Sequence, residues 1–153
     1  MDEPIGLLMA EVPMFNALDV SDADILEKHL LVRSFQPDET LYKEGEHANS
    51  VCFLVKGELK ATKNDNGKPV EVATLVKGQS VGEMAIIDGL KRSATITASQ
   101  PSTVLILKRD VFESLIKEHP NIGITILKEI ARILSMSLRK TSTGYTQAML
   151  SLG

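Results

Sequence analysis

The sequence predicts a mainly β domain with flanking helices, and three features of the chain support this fold class. Between residues 34 and 108, short apolar segments alternate with clusters of Gly, Asn, Asp and Pro. Turn signals recur there about every ten residues, which is typical of sandwiches, barrels and jelly rolls. Helical spacing of apolar residues is confined to the segments on either side. These features indicate an all-β core between helical ends.

Length and composition favour one globular domain over residues 1–153. The 153 residues fit the usual size of about 100–200 residues per domain. A content of 43% hydrophobic and 24% charged residues is that of a globular protein. The formal net charge of −3 disfavours a protein that binds nucleic acid through a broad basic surface.

Cysteine usage and hydropathy bear on the compartment. Cys52 is the only cysteine of the sequence, which excludes an internal disulfide and indicates a reducing compartment. The N-terminus lacks the basic-then-apolar pattern of a signal peptide. No apolar run approaches the ~18–20 residues that cross a bilayer. We therefore expect a cytoplasmic protein without a membrane partner.

The N-terminal segment, residues 1–33, is predicted to be helical. Ser21 and Asp24 stand three residues apart, which is the spacing of a capping box at a helix N-terminus. Apolar residues follow at helical spacing, and we expect this helix to end before Arg33.

The central segment, residues 34–108, is predicted to form the strands. Asn66-Gly67 is a strong hairpin signal, because both residues tolerate a positive φ. The candidate strands are 51–55, 59–62, 70–76, 94–98 and 104–107.

The C-terminal segment, residues 110–148, is predicted to contain two helices. The first is short and amphipathic, and His119-Pro120-Asn121 breaks it. The second carries an apolar face wider than a coiled-coil seam and is expected to fade at residues 141–144. One side of this helix is expected to close over the strands, while another meets a second protein chain.

The stretch 81–98 is the strongest candidate for a binding site. Gly82-Glu83 opens a short apolar turn, and Arg92 follows nine positions after Glu83. One carboxylate, one guanidinium and several free amides near one another suit a small ligand with a hydroxyl and a phosphate. A Gly-Glu pair alone is a common turn, and a lone arginine is usually a solvated surface charge. Their combination and order favour the ligand site.

Four groups of residues along the strand-rich segment form a known pattern: Glu44-Gly45-Glu46, Val55-Lys56-Gly57, Gly78, and Gly82-Glu83 followed by Arg92-Ser93-Ala94-Thr95.

This pattern resembles the cyclic nucleotide-binding domain family, which includes bacterial catabolite activators, kinase regulatory subunits and cyclic-nucleotide-gated channels. The resemblance covers roughly residues 12–140. It implies a β-roll (a jelly-roll-like, double-stranded β-helix) with an N-terminal helix and C-terminal lid helices. It also implies a phosphate-binding cassette, here residues 81–95, that binds cAMP or cGMP without a metal ion.

The resemblance assigns the cyclic phosphate to Arg92, whose planar fork matches two phosphate oxygens at once. Backbone amides of Ala85, Ser93 and Ala94 are expected to add donors. The short turn that starts at Met84 offers the phosphate a helix N-terminus.

The resemblance gives Gly82 and Glu83 different tasks. Glu83 would be repelled by a phosphate, so we expect it to accept a hydrogen bond from the ribose 2′-hydroxyl while it steadies Arg92. Gly82 has no Cβ and lets the backbone approach the ligand closely.

The residues around the base follow from the resemblance as well. Val72, Ala73 and Leu75 are expected to form the apolar wall beside the purine, with plain core packing as an equally weighted alternative. Ser137 on the long helix matches the position that contacts the base in catabolite activators. Arg132 and Arg139 are the other polar candidates on this helix, and an arginine could instead stack on the purine.

The base preference rests on position 93. Ser93 stands where a threonine often accompanies a preference for cGMP in the kinases, so the resemblance favours cAMP over cGMP.

Two other classes of protein are disfavoured. A metal-dependent jelly-roll enzyme needs clustered histidines, whereas His29, His47 and His119 are scattered. Cys52 lies inside an apolar strand pattern, so no nucleophile is predicted and we expect no enzyme. A transcription factor would need a helix-turn-helix segment after the long helix, and the sequence to residue 153 contains none. We therefore expect no direct DNA binding by this chain.

The sequence thus predicts a stand-alone cyclic nucleotide sensor that signals through movement of its C-terminal helix. A protein partner or a homodimer is expected to use that helix. Two alternatives stay open. One is a ligand-binding fragment of a larger transcription regulator, kinase or channel, and the other is a ligand-free interaction module with the same fold.

Overall fold

The computed structural model describes residues 3–152 of the chain and the side chains of residues 3–140. The N-terminal part contains helix α1, a 3₁₀ helix and helix α2, and two further helices, α4 and α5, follow the last strand. The helices are α1 (Ile5–Met9), the 3₁₀ helix (Pro13–Ala17), α2 (Val20–Glu27), α3 (Glu83–Ile87), α4 (Arg109–Glu118) and α5 (Pro120–Leu152). The strands are β1 (Leu31–Phe35), β2 (Thr40–Tyr42), β3 (Ser50–Lys56), β4 (Leu59–Asp65), β5 (Lys68–Leu75), β6 (Ser80–Val81), β7 (Thr95–Ala98) and β8 (Ser102–Lys108).

The strands form two four-stranded antiparallel sheets, with strand orders β1-β8-β3-β6 and β2-β7-β4-β5. In the first sheet, β3 lies between β8 and β6, with Cys52 opposite both Ile106 and Val81. In the second, β4 and β5 form a hairpin whose turn residues, Asn66 and Gly67, have φ of 53° and 84°. The predicted fold class, mainly β with flanking helices, is confirmed.

Strand β3 is buried on both faces and separates the two parts of the core. Val51, Phe53 and Val55 pack into the cluster formed with the N-terminal and C-terminal helices. Cys52 and Leu54 point the other way, into the interior between the sheets. Successive side chains of a strand point to opposite faces, so a continuous apolar run suits a strand that is covered on both sides. The buried strand β3 therefore forms a rigid support for β6 and for the turn that leads from β6 into α3.

The boundary predicted at residue 33, between the helical N-terminal segment and the strands, is wrong in detail. Helix α2 ends at Glu27, and β1 begins at Leu31. Leu31 pairs with Ile106 and Phe35 with Ser102, so long-range pairing with β8 determines the conformation of this segment. The short strands β2 and β6 were also not predicted, because a segment of two or three residues is too short to show the alternation of apolar and polar side chains that marks a strand.

The helix cap also differs from the predicted capping box. Asp19 is the N-cap of α2, and its carboxylate accepts a hydrogen bond from the backbone N–H of Asp22 at 2.7 Å. Ser21 already lies inside the first turn. The side chain that caps is the one whose backbone is still extended, and Asp19 has φ −73° and ψ 169°.

The C-terminal helices break at the predicted place but extend further than expected. Helix α4 ends at Glu118, and α5 starts at Pro120, where a missing N–H is tolerated. Helix α5 continues through residues 141–144 to Leu152. Thr, Ser and Gly each destabilise a helix interior by no more than about 1 kcal/mol, so they weaken this helix without ending it.

Helix α5 packs against the core with its first four turns. Ile122, Ile126 and Ile130 are buried in the cluster that contains β3. Leu127, Met136 and Leu138 are exposed on the described part of the helix. No helix within the described residues is both long and apolar enough to cross a bilayer.

The cap of α2 can be tested by a pair of substitutions. Asp19→Ala should lower the free energy of unfolding by about 1 kcal/mol, because it leaves a first-turn N–H without its acceptor. Ser21→Ala, two residues along, should change it by less than about 0.5 kcal/mol. Urea unfolding followed by circular dichroism measures both. A larger effect at Ser21 than at Asp19 would contradict the observed cap.

Candidate functional site

A cavity of about 330 Å³ lies beside helix α3. This volume is at the lower end of the range of small-molecule sites. The structure brings together, along its wall, all seven residues expected to bind the ribose and the phosphate: Gly82, Glu83, Met84, Ala85, Arg92, Ser93 and Ala94.

The loop that carries Arg92 is held by backbone pairing with the segment before β3. The N–H of Arg92 donates to the carbonyl of Glu46 at 2.7 Å, and the Arg92 carbonyl accepts from Gly45 at 2.9 Å. The N–H of Ala48 donates to the Leu90 carbonyl at 3.0 Å. The position of Arg92 is therefore fixed relative to the roll, although helix α3 and its loop separate it from β6.

The guanidinium of Arg92 is buried, with only 8% of the residue exposed. Its Nη2 donates to the Ser50 carbonyl at 2.7 Å, and its Cζ lies 3.5 Å from the centroid of the Tyr42 ring. Its Nη1 is buried without a hydrogen-bond acceptor. A buried donor without a partner costs about 1–3 kcal/mol, and more when the group is charged. This guanidinium can therefore take up an anion.

Gly82 makes room for the guanidinium. It has φ 86°, a left-handed conformation that favours glycine, and it is the N-cap of α3. A Cβ at this position would lie 2.2 Å from Nη1 of Arg92. Close approach of the ligand was predicted at Gly82, and the close contact observed is with Arg92.

Glu83 is half-buried and points its carboxylate at Ser80. The Ser80 hydroxyl donates to Oε1 of Glu83 at 2.5 Å. The expected steadying contact with Arg92 is not present, since neither residue belongs to an ion pair among the described side chains. Instead, the Ser80 hydroxyl holds the Glu83 carboxylate, and the Ser50 carbonyl holds the Arg92 guanidinium. Glu83 keeps acceptor capacity for a ligand hydroxyl.

The backbone amides differ from the expectation at one position. The N–H of Ala85 donates to the Gly82 carbonyl at 3.0 Å, so it is engaged in the first turn of α3. The amides of Ser93 and Ala94 donate to no protein acceptor within the described chain. Two of the three expected backbone donors, the amides of Ser93 and Ala94, therefore have no protein acceptor and are available to a ligand in the cavity.

Three of the four residues expected around the base, Ala73, Leu75 and Ser137, line a second cavity, of about 570 Å³. Ala73 and Leu75 contribute from β5, and Ser137 and Arg132 contribute from α5. Glu83 lines this cavity as well as the one beside α3, so the two adjoin at its side chain. The roll and the long helix thus face each other next to the cassette.

Val72 is not brought to either cavity. Ala73 pairs with Ala61 and Glu71 with Thr62, so a bulge leaves Val72 without a partner on β4. Its side chain is 51% exposed. Strand alternation places Val72 on the face opposite Ala73, which is the physical reason for the difference.

Three residues that shape the site were not predicted from the sequence: Tyr42, Ser50 and Ser80. Ser80 precedes Glu83 by three residues, which is a weak local signal. Tyr42 and Ser50 come from the segment that the sheets bring next to Arg92, and no motif marked them. The Tyr42 hydroxyl is hydrogen-bonded to the Ser50 hydroxyl at 2.9 Å.

Burial keeps two titratable groups of this interior neutral. It raises the pKa of Cys52 to about 12, and it raises the pKa of the Tyr42 phenol well above its usual range. The thiolate needed for nucleophilic chemistry is therefore disfavoured at Cys52. Among the residues that the structure describes, no group of three or more His, Cys, Asp and Glu side chains could hold a metal ion.

Comparison with known proteins gives one family. The family model described as "Cyclic nucleotide-binding domain" matches residues 32–119. A "cGMP-dependent protein kinase" of Eimeria tenella is 33% identical over 109 residues, which are 71% of this chain and 10% of the kinase. The chain therefore spans about a tenth of that relative's length.

Solved structures agree with the fold. A cyclic nucleotide-binding domain from Methylobacillus flagellatus matches with a TM-score of 0.80 at 23% identity, covering 89% of this chain and 80% of that one. The regulatory domain of Toxoplasma gondii PKA, solved with cAMP, matches with a TM-score of 0.65 at 24% identity, covering 77% and 47%. Since the family model matches more than half of the residues, the chain belongs to the cyclic nucleotide-binding domain family.

Proposed function

We propose that this domain binds a cyclic nucleotide, cAMP in preference to cGMP, in the cavity beside α3 and reports the bound state through α5. The observation that carries this proposal is the buried guanidinium of Arg92, whose Nη1 has no acceptor and which pairs with no carboxylate among the described side chains. A cyclic phosphate is a monoanion that supplies both the charge and the acceptors.

The ligand orientation follows from the two charged residues. The phosphate faces Arg92 and the free amides of Ser93 and Ala94, where it receives donors from a fork and from the backbone. The ribose 2′-hydroxyl faces Glu83, which repels the phosphate and accepts from a hydroxyl. The base then extends into the cavity that Ala73, Leu75 and Ser137 line.

Ser93 supports the preference for cAMP, as does the likeness to a regulatory domain solved with cAMP. The relative from Eimeria tenella is named for cGMP, so both nucleotides belong in the test. In this proposal the domain acts alone, with a regulatory part of a larger transcription regulator, kinase or channel as the alternative.

Calorimetric titration tests the site directly. The parent chain should bind cAMP more tightly than cGMP, and linear 5′-AMP weakly or not at all. Arg92→Ala should weaken cAMP binding by roughly 2–5 kcal/mol, as expected for truncation of one partner of a buried charge pair. Arg92→Lys should also weaken it, because an ammonium ion lacks the bidentate fork.

Arg33→Lys is the matched control, since Arg33 is exposed on β1 and lines neither the cavity beside α3 nor the cavity beside α5. It should bind as the parent does. Equal cAMP affinities for the parent and Arg92→Ala would overturn the assignment of the site. Thermal melts of each variant without nucleotide separate loss of binding from loss of folding.

The role of Glu83 can be isolated with 2′-deoxy-cAMP. The parent should lose affinity when the 2′-hydroxyl is removed, because the carboxylate is then left without its donor. In Glu83→Ala the same change of ligand should have a smaller effect. Calorimetry with both ligands and both proteins completes the double-mutant cycle.

Asp88→Asn is the control for that cycle. Asp88 lines the same cavity, and its substitution removes a negative charge without touching Glu83. This variant should keep the parent's full penalty for 2′-deoxy-cAMP. Additive losses in the Glu83→Ala cycle would mean that Glu83 does not contact the 2′-hydroxyl.

The signalling part of the proposal concerns α5 and a protein partner. A nucleotide that fills the cavity between β5 and α5 contacts Ser137 and stabilises the helix against the roll. The exposed apolar residues Leu127, Met136 and Leu138 then change in position relative to the roll. A second copy of the chain, or another protein, is expected to use this helix.

Hydrogen exchange tests the helix movement. Saturating cAMP should slow amide exchange in the part of α5 around Ser137, and Ser137→Ala should reduce that protection and alter the ratio of cAMP to cGMP affinity. Sedimentation velocity on the same samples shows whether the mass doubles with nucleotide. Unchanged exchange in α5 at saturation, with unchanged mass, would contradict signalling through this helix.

A further inference from the structure

The Tyr42 ring occupies a position in the site that neither the cassette motif nor the family comparison assigns. It lies face-on to the Arg92 guanidinium, with its centroid 3.5 Å from Cζ. This distance is well inside the ~6 Å limit of a cation–π contact. Such contacts gain strength when both groups are desolvated, and here the arginine is buried and the tyrosine half-buried.

Among the described side chains, no carboxylate forms an ion pair with the Arg92 guanidinium. The ion pairs among the described side chains join Lys56 to Glu3, Lys77 to Glu11 and Arg132 to Glu129, all away from Arg92. The buried charge is compensated by the Tyr42 ring and by Ser50, whose carbonyl accepts from Nη2 at 2.7 Å and whose hydroxyl accepts from it at 3.4 Å. A neutral support of this kind keeps the guanidinium in place without neutralising it, which leaves its charge free for an anion.

The local structure explains why Tyr42 points inward. Strand β2 pairs with β7 through Thr40↔Thr97 and Tyr42↔Ile96, so an irregularity leaves Leu41 without a partner. A bulge re-aims the following side chain. The Tyr42 hydroxyl is then fixed by its bond to the Ser50 hydroxyl at 2.9 Å.

The stacked arrangement also determines which edge of the guanidinium is available. Tyr42 covers one face, and Nη2 is bonded to the Ser50 carbonyl. Nη1 points towards Gly82 and has no acceptor. Tyr42 and Arg92 line the cavity beside α3, and both also line a further cavity of about 460 Å³ on their other side. The stacked pair therefore forms part of the wall of the cavity that the phosphate would enter.

We propose that Tyr42 is a positioning residue for nucleotide binding, which holds the Arg92 fork with one edge towards the cassette cavity. This inference rests on the proposed function, because it assigns a role within the same site.

Substitutions at Tyr42 test the affinity. Tyr42→Leu removes the ring and should weaken cAMP binding by a factor of roughly 3 to 30, the range of a desolvated cation–π contact. Tyr42→Phe keeps the ring and should weaken binding by no more than about threefold. Phe35→Leu is the matched control, because Phe35 belongs to the same interior cluster and does not contact Arg92. It should bind as the parent does.

A spectroscopic measurement tests the same role with Tyr42 intact. The chain contains no tryptophan and two tyrosines, Tyr42 and Tyr145, so Tyr145→Phe leaves Tyr42 as the only tyrosine. Tyrosine fluorescence of this variant, corrected for the light that the nucleotide absorbs by a matched titration of free tyrosine, should change saturably with cAMP, with the midpoint found by calorimetry. A tyrosine without contact to the anion site would not respond to the nucleotide.

The outcomes separate this inference from the function on which it rests. If the parent chain binds neither cAMP nor cGMP, the proposed function fails. If the parent binds cAMP while Tyr42→Leu binds as tightly as Phe35→Leu, and the tyrosine fluorescence stays constant, only the role of Tyr42 is overturned. Failure of Tyr42→Leu to fold leaves the fluorescence measurement to decide.

Discussion

The burial of one guanidinium, that of Arg92, is the constraint around which the site is built. A buried charge without a carboxylate partner is unfavourable, and the protein offsets that cost with a carbonyl, an aromatic ring and a fixed backbone. Each of these supports comes from a different part of the chain: Ser50 from β3, Tyr42 from β2, and the backbone pairing from the segment between them. The fold of the roll therefore brings these three supports together at Arg92. A charge held in this way is preorganised for an anion, because little rearrangement is needed when the anion binds.

Strand β3 connects this site to the rest of the molecule. Its odd-numbered residues from Val51 to Val55 belong to the core under the helices, and Cys52 and Leu54 belong to the interior of the roll. Ser50, at its first position, supplies the carbonyl that accepts from Arg92. A shift of β3 by one residue would exchange the two faces and remove that acceptor. The stability of the helical core and the geometry of the anion site therefore depend on the same register.

What the sequence predicted well is local in character. The hairpin at Asn66-Gly67 and the break before Pro120 follow from backbone preferences of those residues, which their neighbours do not override. The cassette residues from Gly82 to Ala94 lie close together because they are close in sequence. Features that depend on distant pairing were not predicted. Strand β1 forms because β8 is its partner, and a register shift between β4 and β5 leaves Val72 without a partner, on the face opposite Ala73. Ser50 and Arg92 are 42 positions apart, and only the folded sheets bring them into contact.

In the proposed function, Glu83 is the residue that links ligand binding to α5. Its side chain borders the cavity beside α3 and the cavity between the roll and α5, and Ser80 fixes it from the adjacent strand. In that proposal, a ligand with its phosphate at Arg92 and its hydroxyl at Glu83 extends its base towards α5. The proposed signalling requires two positions of α5 that differ in their contacts with the base, and by linkage binding would then shift the equilibrium between them by the same factor as the two affinities differ. A phosphate that contacts Arg92 alone would have no such effect, because it has no differential contact with the helix. The proposed coupling free energy therefore comes from the base and the ribose, while Arg92 supplies affinity that is common to both positions.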